Sequence, residues 1–215
     1  VKLISPQFVK PFVKTNKNDA NDSEAICEAA SRPSMRYVSP KSVEQEDIQA
    51  VHRVRSRLVA ERTALVNQIR GLLAEFGIVV PQGINKIRKA LPEILEDAEN
   101  ELSHSGRQIF SALYEEIHEK DNRIKIYNIK LEALFKSNES CKRIGEIEGV
   151  GVIVATDIVS AIGDPKVFKN GREMSAWLGL VPRQNSSGNK TRLSGISKRG
   201  DSYVRKLLIH GAFCS

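Results

Sequence analysis

Between Arg183 and Lys206 the chain sets the cations Arg183, Lys190, Arg192, Lys198, Arg199, Arg205 and Lys206 against a single acid, Asp201. The hydroxyls of Ser186, Ser187, Ser194 and Ser197 lie among them, with Gly188, Gly195 and Gly200 in between. The window carries a net charge of +6 in a chain whose whole net charge is +7. Positive side chains around hydroxyls on flexible backbone suit a phosphate. Spacing alone leaves these serines equivalent, and the loop reads as a grip on a phosphate backbone.

Two other places hold chemically useful residues. Asp19 and Asp22 stand three apart at the start of an expected helix, so their carboxylates share a face. They either complement the positive end of that helix or act as a pair of oxygen ligands for Mg²⁺. Residues 141–164, CKRIGEIEGVGVIVATDIVSAIGD, read as a short helix, a Gly149-Val150-Gly151 turn and an apolar helix through Ala155 and Ile158. That is the layout of a helix-hairpin-helix. Gly149 and Gly151 would let the backbone approach a nucleic acid while the following helix N-terminus aims amide hydrogens at a phosphate. A tight turn without a ligand is the alternative.

The elements that must position these groups are mostly helices. The strand-like VKLIS is stopped by Pro6 and has no sequence neighbour to pair with, and Pro11 puts FVKPFVK in a loop or an edge. Asn18, Asp19 or Asn21 can cap a helix expected to run to about Ser31, followed by a linker from Pro33 to Pro40. A long helix from Val43 to Phe76 carries the stripe Val51, Val54, Leu58, Leu65, Ile69 and Leu72. Arg53, Arg55, Arg57, Arg62 and Arg70 lie on its other faces among acids, which reads as a solvated face rather than a nucleic-acid track. A shorter helix covers Ile84 to Asn100. A second long one, Ser105 to Lys136, carries Ile109, Leu113, Ile117, Ile124, Tyr127, Leu131 and Leu134. Two such stripes predict an antiparallel hairpin, a coiled coil or the seam of a dimer. Phe168, Met174, Trp177, Leu178 and Leu180 form a small aromatic core, and a last helix starts near Asp201.

Composition bounds the rest. With 215 residues, 40% hydrophobic and 27% charged, the chain is globular rather than disordered. It has no apolar run of membrane-spanning length and no signal-peptide pattern, so a soluble, cytoplasmic protein without a membrane partner is expected. Cys27, Cys141 and Cys214 are far apart and read as reduced thiols. The histidines lack metal-ligand spacing and read as packing residues. A pI of about 9.4 calls for a polyanionic partner. The charge sits at the two ends: residues 1–18 hold four lysines and no acid.

The stretches VKPFVKTNKNDANDSEAICEAASRPSMRYV, HRVRSRLVAERTALVNQIRGLLAEFGI, IEGVGVIVATDIVSAIGD and FKNGREMSAWLGLVPRQNSSGNKTRLSGISKRGDSYVRKLLIHGA resemble the insertion-sequence transposases of the one-ten and eleven-eleven groups, the bridge-RNA-guided recombinases. The resemblance implies a mainly α chain truncated at both ends. It would comprise the remnant of a RuvC-like, RNase H-type α/β domain at 1–40, a long antiparallel coiled-coil region at 41–138, and a helical transposase domain with the helix-hairpin-helix and serine loop at 139–215. It implies four acids, in the order Asp, Glu, Asp, Asp, around Mg²⁺. Asp19 and Asp22 match the last two, and the first two are expected upstream of Val1.

The resemblance also selects Ser187 as the nucleophile, with Arg183, Lys190 and Arg192 as its charge partners. Contacts to DNA or RNA are expected from Gly149, Gly151, Arg183, Lys190, Arg192, Lys198, Arg199 and Arg205. The implied partners are donor and target DNA, a structured bridge RNA, and further copies of the chain in a dimer or tetramer. The implied function is cutting and rejoining DNA during transposition. The alternative is a nucleic-acid-binding fragment of a decayed transposase without activity.

Overall fold

The computed structural model describes residues 3–14, 18–35, 37–188, 190 and 192–213, so the thiol of Cys214 lies outside the described residues. Its internal contacts divide the chain into two units, Val1–Glu46 and Asp47–Ser215. The fold is mainly α, with two small two-stranded sheets.

In the first unit β1 (Leu3–Ile4) pairs antiparallel with β2 (Tyr37–Val38), Leu3 opposite Val38 and Ile4 opposite Tyr37. The first strand therefore has a partner after all, drawn from the stretch expected to be a linker. Tyr37 also donates its hydroxyl to the carbonyl of Ala30 at 2.8 Å. The prolines open helical turns instead of breaking them. Pro6 begins α1 (Pro6–Val9), and Pro11 lies within a 3₁₀ turn, Lys10–Phe12. A proline's fixed φ and missing N–H cost nothing in a first turn, where that N–H has no helical acceptor. α2 (Asp19–Ser31) starts as its sequence demands: the Asn18 side chain accepts from the Asn21 amide at 2.7 Å, and Ala25 and Ala29 form the buried face.

The second unit is built on α3 (Val43–Glu75) and α5 (His104–Ser137), which run antiparallel. Arg55 Nε donates to Asn128 Oδ1 at 2.6 Å, and seven residues further along α3 Arg62 meets Asp121 at 2.7 Å, seven residues back along α5. α4 (Ile84–Glu96) closes a core of Leu65, Val66, Ile69, Leu73, Ile87, Leu91, Phe110 and Ile117. α4 ends four residues before the expected Asn100, because Arg107 gathers the carbonyls of Ile94, Leu95 and Asp97 at its C-terminus. The buried heptad of α5 is Phe110, Ile117, Ile124 and Leu131, whereas Ile109 is 54% exposed. On α3 Leu58, Leu65 and Ile69 are buried as the stripe predicts, joined by His52 and Leu73, while Val51 and Leu72 are half-buried. The α3 arginines are more engaged than a solvated face implies: Arg70 donates to the carbonyl of Val80, and both Arg62 and Arg88 of α4 pair with Asp121.

The remaining elements are α6 (Glu139–Gly145), α7 (Val152–Ile162), α8 (Gly171–Trp177), β3 (Pro182–Gln184), β4 (Leu193–Ile196) and α9 (Ser202–Phe213). Val154, Ile158, Leu178 and Val204 form their core, with Met174 and Leu180 packed against it. Phe168 and Trp177 meet edge to face at 5.6 Å, with Trp177 36% exposed, so the aromatic pair borders that core instead of filling it. Among the described residues no helix is long and apolar enough to cross a membrane.

Candidate nucleic-acid interface

The basic serine stretch is a folded hairpin, not a flexible loop. β3 and β4 pair antiparallel, Pro182 opposite Ile196 and Gln184 opposite Leu193, with an irregularity between the two pairs. Ser197 N donates to the carbonyl of Val181 at 2.8 Å, Lys198 N to that of Gly179 at 3.1 Å, and Asn185 N to that of Arg192 at 2.9 Å. The sequence hid this because the strands are short and interrupted by serine and glycine.

The base of the hairpin is clamped. At Gly200 (φ 78°) the backbone crosses that of Trp177 so closely that a β-carbon would overlap the Trp177 carbonyl oxygen. Arg205, expected at a nucleic acid, is instead buried, and its Nη1 donates to the carbonyls of Leu178 at 3.0 Å and Arg199 at 2.9 Å. Its guanidinium ties α9 to both flanks of the hairpin.

Ser187 lies at the other end, bridging to Lys190 around a turn in which Gly188 has φ 57°. The structure separates the serines that spacing could not. Ser186 Oγ accepts from Gln184 Nε2 at 2.9 Å, Ser194 Oγ donates to the carbonyl of Arg183 at 3.4 Å, and Ser197 Oγ is buried near the base. Ser187 is exposed, and among the described residues no hydrogen bond occupies its hydroxyl. Arg183, Lys190, Arg192, Lys198 and Arg199 are likewise exposed, and none of them enters an ion pair among the described residues. The hairpin is therefore a concentration of uncompensated positive charge around one open hydroxyl.

Lys198 and Arg199 border different hollows. A cleft of about 530 Å³ is lined by Arg183, Gln184, Asn185, Ser197 and Arg199, and a hollow of about 310 Å³ by Lys198, Ser202, Lys206 and His210. Lys198 has φ 55°, the one left-handed non-glycine among the described residues. Such a conformation costs on the order of 1 kcal/mol and marks a place where the surrounding fold dictates the backbone.

α6, the 149–151 turn and α7 follow one another in the expected order, but the two glycines of the turn face different surroundings. Gly149 (φ 78°) packs on α9, where a β-carbon would come within 2.6 Å of the Gly211 carbonyl oxygen. Gly151 is exposed, and a β-carbon there would meet nothing within 4 Å. The close approach that Gly149 permits is thus to the protein's own last helix.

Asp19 and Asp22 occupy the first turn of α2, Asp19 exposed and Asp22 half-buried. Among the described residues no group of three or more His, Cys, Asp or Glu side chains is gathered to hold an ion. Two carboxylates on one turn would need further oxygen ligands to hold an ion.

A buried polar group went unremarked in the sequence. His52 Nε2 lies 3.0 Å from Thr156 Oγ1, and Gln49 Nε2 donates to the carbonyl of Ser160 at 3.2 Å. The His52 ring meets Tyr203 edge to face at 5.9 Å. Burial, reinforced by the Arg55 charge, lowers the pKa of His52 to about 4. Burial also raises that of Tyr203, with Asp157 adding to the effect and Arg55 opposing it. The signal was available: Asp157 is a lone acid in the apolar run VIVATDIVSAI, which demands a buried partner.

Residues 141–215 match the family described as Transposase IS116/IS110/IS902 family, and residues 1–78 match a DEDD transposase family of the IS110 type. The chain is 50% identical over 211 residues to the transposase for insertion sequence element IS1111A of Coxiella burnetii, covering 98% of this chain and 58% of that protein. It is 48% identical to a probable family 20 transposase of Pseudomonas aeruginosa, covering 99% and 63%. It is 44% identical to the transposase for insertion sequence element IS1328 of Yersinia enterocolitica, again covering 99% and 63%. The chain spans 58% to 63% of the length of these curated relatives.

Proposed function

We propose, from the matches to the IS116/IS110/IS902 and DEDD transposase families, that the chain belongs with them and carries the serine-bearing half of a DNA transposase that cuts and rejoins DNA during movement of an insertion sequence. The observation that carries this reading is the open hydroxyl of Ser187 at the tip of a hairpin whose cations lack acidic partners among the described residues. Ser187 Oγ attacks a backbone phosphorus, and an Oγ–P bond forms as one P–O bond to a deoxyribose breaks. The serine proton passes overall to the departing oxygen, which leaves as a hydroxyl. The phosphodiester count is unchanged, so a second hydroxyl can reverse the exchange on another strand and rejoin DNA without an energy source. Arg183, Lys190 and Arg192 stabilise the added charge on the phosphoryl oxygens.

The match to a DEDD transposase family implies a divalent metal. Mg²⁺ as that ion, with Asp19 and Asp22 as two of its ligands, is the reading that the family pattern supports. A structured RNA that directs the reaction and assembly into a dimer or tetramer have the same support. DNA is the substrate class that the transposase family implies.

The test is strand cutting and rejoining by a chimera in which this chain replaces the aligned segment of a full-length relative. Ser187→Ala should lower the rate by at least about 10³-fold, while Ser186→Ala should leave it near the starting value. Arg183→Gln or Lys190→Gln should cost about 10²-fold. An unchanged rate in Ser187→Ala would remove the serine from the chemistry.

A further inference from the structure

The cleft of about 530 Å³ runs along the hairpin from Ser197 and Arg199 near its base to Asn185, two residues before Ser187, so Arg183 lies between the two places. Its wall presents two guanidinium groups, Arg183 and Arg199, with no ion pair to an acid among the described residues. Gln184, Asn185 and Ser197 also line it. Ser197 Oγ is buried without a hydrogen-bond partner, although a buried hydroxyl left unpaired costs about 1–3 kcal/mol. One χ1 rotation, a step between staggered wells, offers it a different direction. The backbone beneath is fixed before any ligand arrives: Arg205 holds the Arg199 carbonyl, the Ser197 amide is bonded to Val181, and Gly200 is locked over Trp177. Two free guanidiniums, amide donors and an unpaired hydroxyl on a preformed wall have the chemistry of an anion seat.

Resting on the reading of the hairpin as a nucleic-acid interface, we propose that this cleft, through Arg183, Arg199, Asn185 and Ser197, is a second phosphodiester seat that holds the strand close to the phosphate presented to Ser187. Gln184, on the cleft wall, is three residues from Ser187, so the two points are at most about 11 Å apart. Along the axis of a duplex, where the phosphates of one strand advance about 3.4 Å each, that span is about three nucleotides. The seat reads phosphate, not base, so it fixes the position of the strand along the hairpin. Gln184 links the two places, since its amide lines the cleft and also donates to Ser186, the neighbour of Ser187.

The experiment is binding of a short oligothymidylate and of an oligouridylate of equal length to the chain, over a range of salt concentrations. Arg199→Gln should weaken oligothymidylate binding about tenfold. It should also make the slope of log affinity on log salt shallower by about 0.7, the value for one phosphate contact on a single strand. Ser197→Ala should weaken binding without changing the slope, and Lys125→Gln on α5 should change neither. In the unsubstituted chain the oligonucleotide should protect Arg183 and Arg199 from an arginine-modifying dicarbonyl reagent, a readout independent of variant folding. Equal behaviour of the two oligonucleotides assigns the seat to phosphate alone, and a preference identifies the strand it serves. Wild-type affinity, slope and reactivity at Arg183 and Arg199 alongside lost binding in Lys190→Gln would overturn the seat and leave the interface standing. No binding by any form at low salt would overturn both.

Discussion

Arg205 Nη1 lies 2.9 Å from the carbonyl oxygen of Arg199, so a buried cation on α9 fixes the backbone of an exposed cation on the hairpin. Arg205 therefore acts through structure. Arg205→Met should remove two charge-assisted bonds to main-chain carbonyls and cost about 3 kcal/mol. For a unit of this size that lowers the melting temperature by about 10 °C, measurable by calorimetry. A residue used only as a surface phosphate contact would instead leave the melting temperature unchanged and reduce binding alone.

Gly149 and Gly211 allow the 149–151 turn and α9 to meet backbone to backbone. Gly149→Ala should be destabilising by about 3 kcal/mol, because it combines a strained φ with overlap of the Gly211 carbonyl. Gly151→Ala, in open space with φ −84°, should stay within about 0.5 kcal/mol. Denaturant melts of the two variants give the comparison. Equal, small effects would mean that the turn does not depend on α9.

His52 makes stability depend on acidity in a defined window. Its pKa is lowered from 6.5 to about 4 in the folded chain, so between those values the unfolded chain binds the proton more readily. The stability gained from keeping this ring neutral is complete above pH 6.5 and is lost as pH falls towards 4. The loss over that window is about 3 kcal/mol. In His52→Gln this part of the acid dependence should disappear, whatever the variant's stability at neutral pH. An unchanged slope between pH 6.5 and 4 would mean that His52 does not titrate as its burial requires.

The helical frame was legible because its signals are periodic and long. The ends of α2, α3 and α5 fall within about a residue of where caps, prolines and apolar spacing put them. What escaped depended on pairing distant in sequence. Leu3 meets Val38 and Gln184 meets Leu193 through short strands too irregular to announce themselves. Arg205 looked like one more cation in a basic run, and only the fold turns it inward to the carbonyls of Leu178 and Arg199. The same holds for Gly149, whose close neighbour is Gly211, sixty-two residues away in the chain. Conversely, only family resemblance selects one serine as nucleophile; among the described residues the hydroxyls of Ser186 and Ser194 are engaged and that of Ser197 is buried.

The central claim is that DNA becomes joined to the Ser187 oxygen. The most direct measurement is peptide mapping by mass spectrometry of the protein–DNA adduct formed by the chimera on insertion-sequence ends, after nuclease digestion. The expected result is a nucleotide phosphate on the Ser187 Oγ and no adduct from Ser187→Ala. A nucleotide attached to any other residue, or an adduct of undiminished yield in Ser187→Ala, would contradict the account.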